Sequence, residues 1–237
     1  MDFQIILDEL PLYFDGLLLT IQLVPFSLLI GFVVAIPLAV MRLSKNPFIN
    51  YPVFLFTYCF RGTPLIVQLF LLYYGVGQFE GYSDLAKEFS FLKGAYFFAL
   101  LGFTLNTTAY TAEIFRGAMA QTSFGEVEAA KACGMSKSLI FRRIIIPSAL
   151  RRALPAYSNE VIFMLHGSAL ASTITLVDLT GAARIVMSRY YAPYEAFITA
   201  GIFYFFLTFA FVWTFRLVEN HYSRHLKRRE DTIQIVT

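Results

Sequence analysis

The chain has 237 residues, of which 57% are hydrophobic and only 15% are charged, and its formal net charge is +3. Its mean hydropathy is +0.62, and several charge-free runs are long enough to cross a bilayer as helices, which excludes an ordinary soluble domain. The apolar residues run continuously rather than in alternation, which excludes a transmembrane β-barrel. The composition therefore predicts an all-α, polytopic integral membrane protein.

Five apolar spans follow one another along the chain, and polar connections separate them. The first is a charge-free run that contains Pro25 and Pro37, which membrane helices tolerate when neighbouring groups satisfy the freed carbonyls. We place the five predicted transmembrane helices at about residues 16–41, 51–79, 94–115, 154–179 and 195–215.

Polar groups interrupt the second and third spans. The second contains Arg61-Gly62-Thr63-Pro64. Two interpretations stay open there: a kink that lets the arginine reach the head groups, or an arginine that pairs within the bundle. The third span ends in a polar face, and polar side chains within a membrane usually face the bundle interior. The members of this face are Asn106, Thr107, Thr108, Tyr110 and Glu113.

Lysine and arginine are concentrated in the segments 42–45, 116–152 and 216–229. Because cytoplasmic loops carry an excess of these residues, the pattern places the N-terminus outside the cell and the C-terminus in the cytoplasm. The connection between the fourth and fifth spans runs against this orientation, since its Arg184 and Arg189 would lie outside.

The segment 119–150 is charged and rich in small residues, and it lies between the third and fourth spans. It suits two short helices. Gly134 is placed to end the first in a left-handed conformation, Ser136 to cap the second, and Pro147 to stop or bend it. On the cytoplasmic face, such a helix–turn–helix is either a docking surface for a soluble partner or an ordinary interfacial loop.

This segment resembles the signature loop of the membrane subunits of ABC importers, with Ile146 where that family usually carries leucine. The residues that match the pattern are Glu128, Ala129, Ala130, Gly134, Ile144 and Pro147. Residues 60–65 and 109–117 look like segments of the polar amino acid subfamily. Residues 155–161 together with 164–166 look closest to the M-type permease of the histidine, lysine, arginine and ornithine system, with arginine and opine permeases as near neighbours.

The resemblance implies a single transmembrane domain over residues 1–237, with a MetI-like permease core in the bacterial inner membrane. It also implies that the segment 119–150 couples to a cytoplasmic ABC ATPase dimer, and that a periplasmic amino acid binding protein delivers the substrate. A second, homologous permease is expected as a heterodimer partner, although an identical copy stays open. ATP and Mg would belong to the ATPase, since this chain has no Walker A motif. We therefore expect no cofactor, metal or catalytic residue in it.

Glu160 is the strongest candidate for contact with a substrate. A carboxylate inside the membrane needs a partner or a water-filled cavity, and a cationic amino acid would supply the partner. The resemblance implies that relatives hold a basic side chain at this position. The competing interpretation is an internal ion pair with Arg61, Arg151 or Arg152. The other candidates for the same cavity are Asn159 and Ser168.

Two other polar residues are interpreted as structural. Glu113 lies at the end of its span, where pairing with Arg116 or Arg61 is the simplest account. His166, six residues after the candidate carboxylate, falls on a different side of the helix and is predicted to be a packing residue with a satisfied ring. Relatives carry a second acidic residue at the position of Gly167, so the resemblance leaves the details of charge recognition open.

The predicted function is therefore that of the permease subunit of an ATP-driven importer for cationic amino acids such as arginine, lysine and histidine. The alternatives are a permease for another polar amino acid or an opine, and a stand-alone secondary transporter. Secondary transporters usually have more spans or internal repeats. A membrane enzyme would need a clustered acid/base or metal set, which the sequence does not contain.

Overall fold

A computed structural model of the chain describes residues 3–78, 82 and 88–234, with only the backbone for Phe3, Gly77, Ser90, Lys93 and 221–234. The regular elements within these ranges are helical. In chain order they are α1 (Phe3–Arg42), α2 (Pro47–Gly62), α3 (Leu65–Phe70), α4 (Ala95–Ala120), α5 (Phe124–Ala132), α6 (Lys137–Ile140), α7 (Ile146–Gly167), α8 (Leu179–Tyr190) and α9 (Pro193–Gln234).

Shorter helical turns continue three of these helices. A π turn, Leu71–Gly75, and a 3-10 turn, Val76–Gln78, follow α3, and a further 3-10 turn, Ser168–Ile174, follows α7. A π turn over Phe141–Ile145 joins α6 to α7. An isolated 3-10 turn, Ser90–Lys93, precedes α4.

Two of the described helices, α1 and α9, are long and apolar enough to cross a membrane by themselves. The number rises to four if each of two bent pairs counts as one span: α2 with α3, bent by 107°, and the helix through α7 with α8, bent by 48°. Helix α4 holds the predicted third span and is 26 residues long. It is not among the helices apolar enough to cross a membrane, because its second half is polar. The kink predicted within the second span is thus a sharp break.

Two predicted features differ from the structure. The polar connection expected after the fourth span contains the helix α8, which Asp178 caps by accepting a hydrogen bond from Gly181 N at 2.9 Å. Pro147 was expected to stop or bend a short helix, yet it lies in the first turn of α7, which continues directly from α6. In an ordinary α-helix the proline ring would clash with the carbonyl four residues earlier. The wider π turn before Pro147 relieves this clash, so the helix continues from α6 into α7.

The core lies where α1, α3, α4 and α7 meet. Helices α1 and α4 approach closely at Gly31, where a Cβ atom would lie only 2.4 Å from Thr107 Cγ2. At the N-terminal end of α1, Glu9 bonds to Arg189 and accepts a hydrogen bond from Tyr190 Oη at 2.9 Å. These contacts fix α8 against α1, while the opposite end of α4 leads into the charged segment. The largest cluster of buried core residues includes Leu23, Leu28, Leu69, Phe103, Tyr157, Val161 and Leu165.

Candidate functional site

The break between α2 and α3 forms one wall of the candidate site. Pro64 has no backbone N–H, so the carbonyls before it lose their helical partner. The side chain of Gln68 replaces that partner: its Nε2 donates to Phe60 O at 2.8 Å and to Thr63 O at 3.0 Å. Asn106 Nδ2 then donates to Gln68 Oε1 at 3.0 Å. This chain of neutral hydrogen bonds holds the bent helix pair against α4.

A cavity of about 340 Å³ lies beside this break, between α3, α4 and α7. Its volume falls within the range of small-molecule sites, roughly 300–1,000 Å³. Most of its wall is apolar, and three of its side chains carry polar groups that converge on it. The lining residues are Leu65, Asn106, Tyr110, Glu160, Phe163 and Met164.

Glu160 is only 6% exposed and contributes the carboxylate of this cavity. Within the described part of the chain it forms no ion pair. Of the arginines considered as partners, Arg152 donates instead to Ala118 O at 3.2 Å and to Thr122 Oγ1 at 2.9 Å. Arg61 lies over the ring of Tyr110, with its Cζ 5.4 Å from the ring centroid. Among the described residues no ion pair within 4 Å joins Glu160 to Arg61, Arg151 or Arg152, although the charge of Arg61 acts on Glu160 at longer range.

The other two substrate candidates lie away from the cavity lining. Asn159 is exposed on a different side of α7. Ser168 is fully buried, and its hydroxyl donates to Leu165 O at 2.6 Å. His166, predicted to be a packing residue, is exposed at the surface of the chain, although its Nε2 lies 3.4 Å from Thr208 Oγ1 of α9. Of the three candidates, the structure brings Glu160 to the cavity.

Glu113 is held by two arginines. Its Oε2 accepts from Arg116 Nε at 2.6 Å, and its Oε1 accepts from Arg42 Nε at 2.8 Å. Thr57 Oγ1 also donates to Oε1, at 3.2 Å. The structural interpretation and the pairing with Arg116 are confirmed. Of the two alternatives, Arg116 and Arg61, it is Arg116 that pairs with Glu113, and the second guanidinium is that of Arg42 at the end of α1.

The charged segment begins with the predicted arrangement of two helices, α5 and α6, joined by a turn. Gly134 adopts φ +75°, its N–H donates to Lys131 O at 2.9 Å, and the N–H of Met135 donates to Ala130 O at 3.1 Å. These two bonds form a Schellman motif, which satisfies the last carbonyls of α5. Ser136 Oγ accepts from Leu139 N at 3.4 Å and caps α6. Both local predictions are confirmed.

The motif residues of this segment differ in exposure. Glu128 and Ala129 are exposed on α5, whereas Ala130 is 5% exposed and packs inward. Ile144 lies in the π turn and Pro147 in the first turn of α7, and both are half-buried. The motif therefore includes exposed residues on α5 and residues at the junction between the charged segment and α7.

Two side chains that hold the helices together around the site, Gln68 and Arg42, were not identified from the sequence. Gln68 lies four residues after Pro64. A proline inside an apolar span leaves backbone carbonyls without partners, and a nearby amide side chain is the sequence signal for a group that can bond to them. Arg42 was assigned only to a basic connection, because 71 residues separate it from Glu113. Within the described residues, no group of three or more His, Cys, Asp or Glu side chains could hold a metal ion.

Comparison with known proteins identifies the family. A family model described as the inner membrane component of binding-protein-dependent transport systems matches residues 27–224. The nopaline transport system permease protein NocM of Agrobacterium fabrum (strain C58) is 45% identical over 229 residues, which cover 97% of this chain and 95% of the relative. The histidine/lysine/arginine/ornithine transport system permease protein HisM of Escherichia coli (strain K12) is 44% identical over 214 residues, 90% of each chain.

A solved structure agrees with these sequence relatives. The crystal structure of an amino acid ABC transporter with histidines superposes with a TM-score of 0.80 at 32% identity, covering 93% of this chain and 99% of that chain. The expected all-α, MetI-like permease fold is thereby confirmed, as is the resemblance to permeases of polar amino acid importers. The chain belongs to the family of inner membrane components of binding-protein-dependent transport systems.

Proposed function

We propose that this chain is the permease subunit of an ATP-driven importer that moves cationic amino acids of the arginine, lysine and histidine type. The observation that carries the proposal is Glu160: a buried carboxylate, free of ion pairs among the described residues, that lines a cavity of about 340 Å³. A carboxylate in such a place is costly until a cation joins it. The name of the relative HisM, which covers histidine, lysine, arginine and ornithine, supports the same substrate class.

The proposed topology has five spans, with the N-terminus outside and the C-terminus in the cytoplasm. The helices α1, α4 and α9 supply three spans, and the two bent helix pairs supply the second and fourth. The basic segments 42–45, 116–152 and 216–229 then share the cytoplasmic side, as the positive-inside rule favours. The coupling segment, which we define as residues 119–150, lies on that side.

The proposed partners follow from this placement. A cytoplasmic ABC ATPase dimer docks on the coupling segment, where Glu128 and Ala129 are exposed. It binds the ATP and Mg, so this chain needs no cofactor of its own. A periplasmic binding protein delivers the amino acid on the opposite side, and a second, homologous permease completes the translocation pathway as a heterodimer.

The continuous helix from α6 through α7 supplies the mechanical link. It begins at Lys137, next to the exposed α5, and carries Glu160 about 35 Å further along. A displacement of the coupling segment by the ATPase therefore tilts the helix that bears the substrate carboxylate. ATP biases the cavity toward one side of the membrane only if the segment contacts the ATPase differently in its nucleotide states.

Uptake by the assembled transporter tests the substrate. The complex reconstituted in vesicles with its ATPase and binding protein is expected to import arginine, lysine or histidine, and to hydrolyse ATP faster in their presence. Glu160→Gln is expected to reduce this uptake about 30-fold or more, the factor for losing one partner of a buried charge pair. Asp15→Asn, which removes an exposed carboxylate from α1, serves as the matched control and retains uptake.

The competing candidate is an opine, since NocM is as similar to this chain as HisM is. Nopaline and octopine therefore belong in the same uptake panel. Import of an opine in preference to the amino acids would replace the proposed substrate. Cationic uptake that is unchanged by Glu160→Gln would contradict the role of the carboxylate.

Coupling is tested at the turn of the segment. Gly134→Asp places a side chain at φ +75°, a left-handed conformation that aspartate tolerates better than most residues but less well than glycine, and adds a negative charge to the docking surface. We expect ATP-dependent uptake to be lost while the chain still inserts into the membrane. Ser138→Asp, an exposed position on α6 with ordinary helical geometry, is the control for the added charge. Uptake that survives without the ATPase would instead indicate a secondary transporter.

A further inference from the structure

A groove on the surface of the bundle, separate from the cavity that Glu160 lines, lies between α1 and α2. It has a volume of about 380 Å³, and α4 forms its floor. The α1 side carries Val34 and Leu38, which are four residues apart and therefore share one face of the helix. The lining residues are Val34, Leu38, Pro52, Val53, Phe56, Thr104, Leu105 and Thr108.

The same face of α1 continues into a basic pocket. Arg42 lies four residues beyond Leu38, and it lines a second cavity of about 450 Å³ together with Lys45. A small cavity lined by Pro47, Phe48, Tyr51 and Pro52 borders both. The groove and this pocket thus form one surface feature, apolar over about 12 Å of α1 and basic at its end.

The charge of the pocket is not neutralised by the protein. Arg42 and Arg116 share the single carboxylate of Glu113, so this cluster keeps one positive charge. Lys45 is exposed and adds a second, and no hydrogen bond or ion pair engages its amine in the described part of the chain. Tyr51, which is 65% exposed, stands at the boundary between the basic and apolar parts, the level at which tyrosine side chains meet head groups.

We propose that this feature, the α1–α2 groove, binds one anionic phospholipid. An acyl chain lies along Val34 and Leu38, and the phosphate of the head group contacts Lys45 and the outer edge of Arg42. An apolar channel that ends in two excess positive charges at the membrane boundary is complementary to a negatively charged amphiphile. A zwitterionic lipid fills the same channel but adds no net negative charge at the basic pocket.

The bound lipid would act on the joint between α1, α2 and α4. Arg42 also donates to Asn50 of α2, and its guanidinium lies 5.0 Å from the centroid of the Phe54 ring. A phosphate at this point contacts the side chain that ties the three helices together. The inference is independent of the substrate, since Glu160 lies in a different cavity.

The test uses the reconstituted complex in vesicles of phosphatidylcholine mixed with phosphatidylglycerol. A trace of phosphatidylglycerol with a photoactivatable acyl chain is expected to label the face of α1 that carries Val34 and Leu38, as mapped by peptide mass spectrometry. Unlabelled phosphatidylglycerol should suppress the labelling far better than phosphatidylcholine does. Lys45→Gln is expected to reduce it about fivefold, as for the loss of one basic charge near an anionic surface.

Two further variants separate the possible results. Arg184→Gln removes an exposed charge from α8 and should leave the labelling unchanged, while Leu38→Trp fills the groove and should abolish it. Equal suppression by both lipids, or labelling unaffected by Lys45→Gln, would overturn the proposal. A disulfide or crosslink from Leu38→Cys to another subunit would also overturn it, because a protein would then occupy the groove. Neither result would alter the predicted uptake of cationic amino acids.

Discussion

Two of the carboxylates inside the helical bundle, Glu113 and Glu160, have different surroundings. Glu113 on α4 is bound by Arg42 and Arg116, at 2.8 and 2.6 Å. Glu160 on α7 is also buried, but it faces a cavity and has no ion pair among the residues described. Because burying an unpaired charge is costly, the two arginines give Glu113 a structural role inside the bundle, whereas the carboxylate of Glu160 is left facing the cavity.

The largest expected effect is on the paired carboxylate. Glu113→Gln leaves two arginine side chains without their counter-charge between α1, α2 and α4. We expect a loss of about 3–5 kcal/mol in the free energy of unfolding, as when one partner of a buried ion pair is removed. The measurement is the thermal or denaturant unfolding of the purified complex. Glu126→Gln, an exposed carboxylate of α5, should change the unfolding free energy little.

A smaller effect is expected at the wall of the cavity. Gln68→Leu removes the side chain that serves Phe60 O, Thr63 O and the amide of Asn106. Leaving such groups unpaired costs about 1–3 kcal/mol each, and the bend between α2 and α3 should loosen. We expect lower stability and weaker apparent affinity for substrate in uptake assays.

The exposed Gln78 provides the matched control for this substitution. Its Nε2 makes one long contact, 3.4 Å to Tyr74 O. Gln78→Leu should therefore leave both stability and uptake close to those of the unmodified chain. If the two variants behaved alike, the hydrogen-bonded wall would have no special role in shaping the cavity.

The smallest expected change is in the stability of Glu160→Gln. Neutralising an unpaired buried carboxylate removes a desolvation cost. The free energy of unfolding is expected to stay the same or to rise by up to about 1 kcal/mol, although uptake falls. This separation of stability from transport distinguishes the two carboxylates. A destabilisation as large as that of Glu113→Gln would mean that Glu160 has an internal partner in the assembled permease.

Local features of the fold were predictable because their causes are local. Gly134 and Ser136 were assigned to the end of one helix and the start of the next, and the hydrogen bonds at both positions confirm this. The polar half of α4 was also recognised as facing the bundle. The helix α8 was missed, although Asp178 directly before Leu179 is a helix-start signal, because the following residues lack a continuous apolar run.

The candidate site was predictable only in part, because its geometry depends on helix rotation and on distant contacts. Sequence reasoning identified Glu160, but it also proposed Asn159 and Ser168. Neighbours on a helix differ by about 100° in direction, so Asn159 faces away from the cavity. The contact between Arg42 and Glu113 joins residues 71 positions apart, and no spacing rule reports such a pair.

The π turn before α7 sets the angular relation between the two ends of the transporter subunit. A π turn accommodates one more residue than an α-helical turn, and each residue advances the helix by about 100°. The π turn over Phe141–Ile145 therefore sets the rotation about the helix axis at which Glu160 projects, relative to the exposed surface of α5. The same side chains without that extra residue would turn the carboxylate of Glu160 about 100° away from the cavity that it lines.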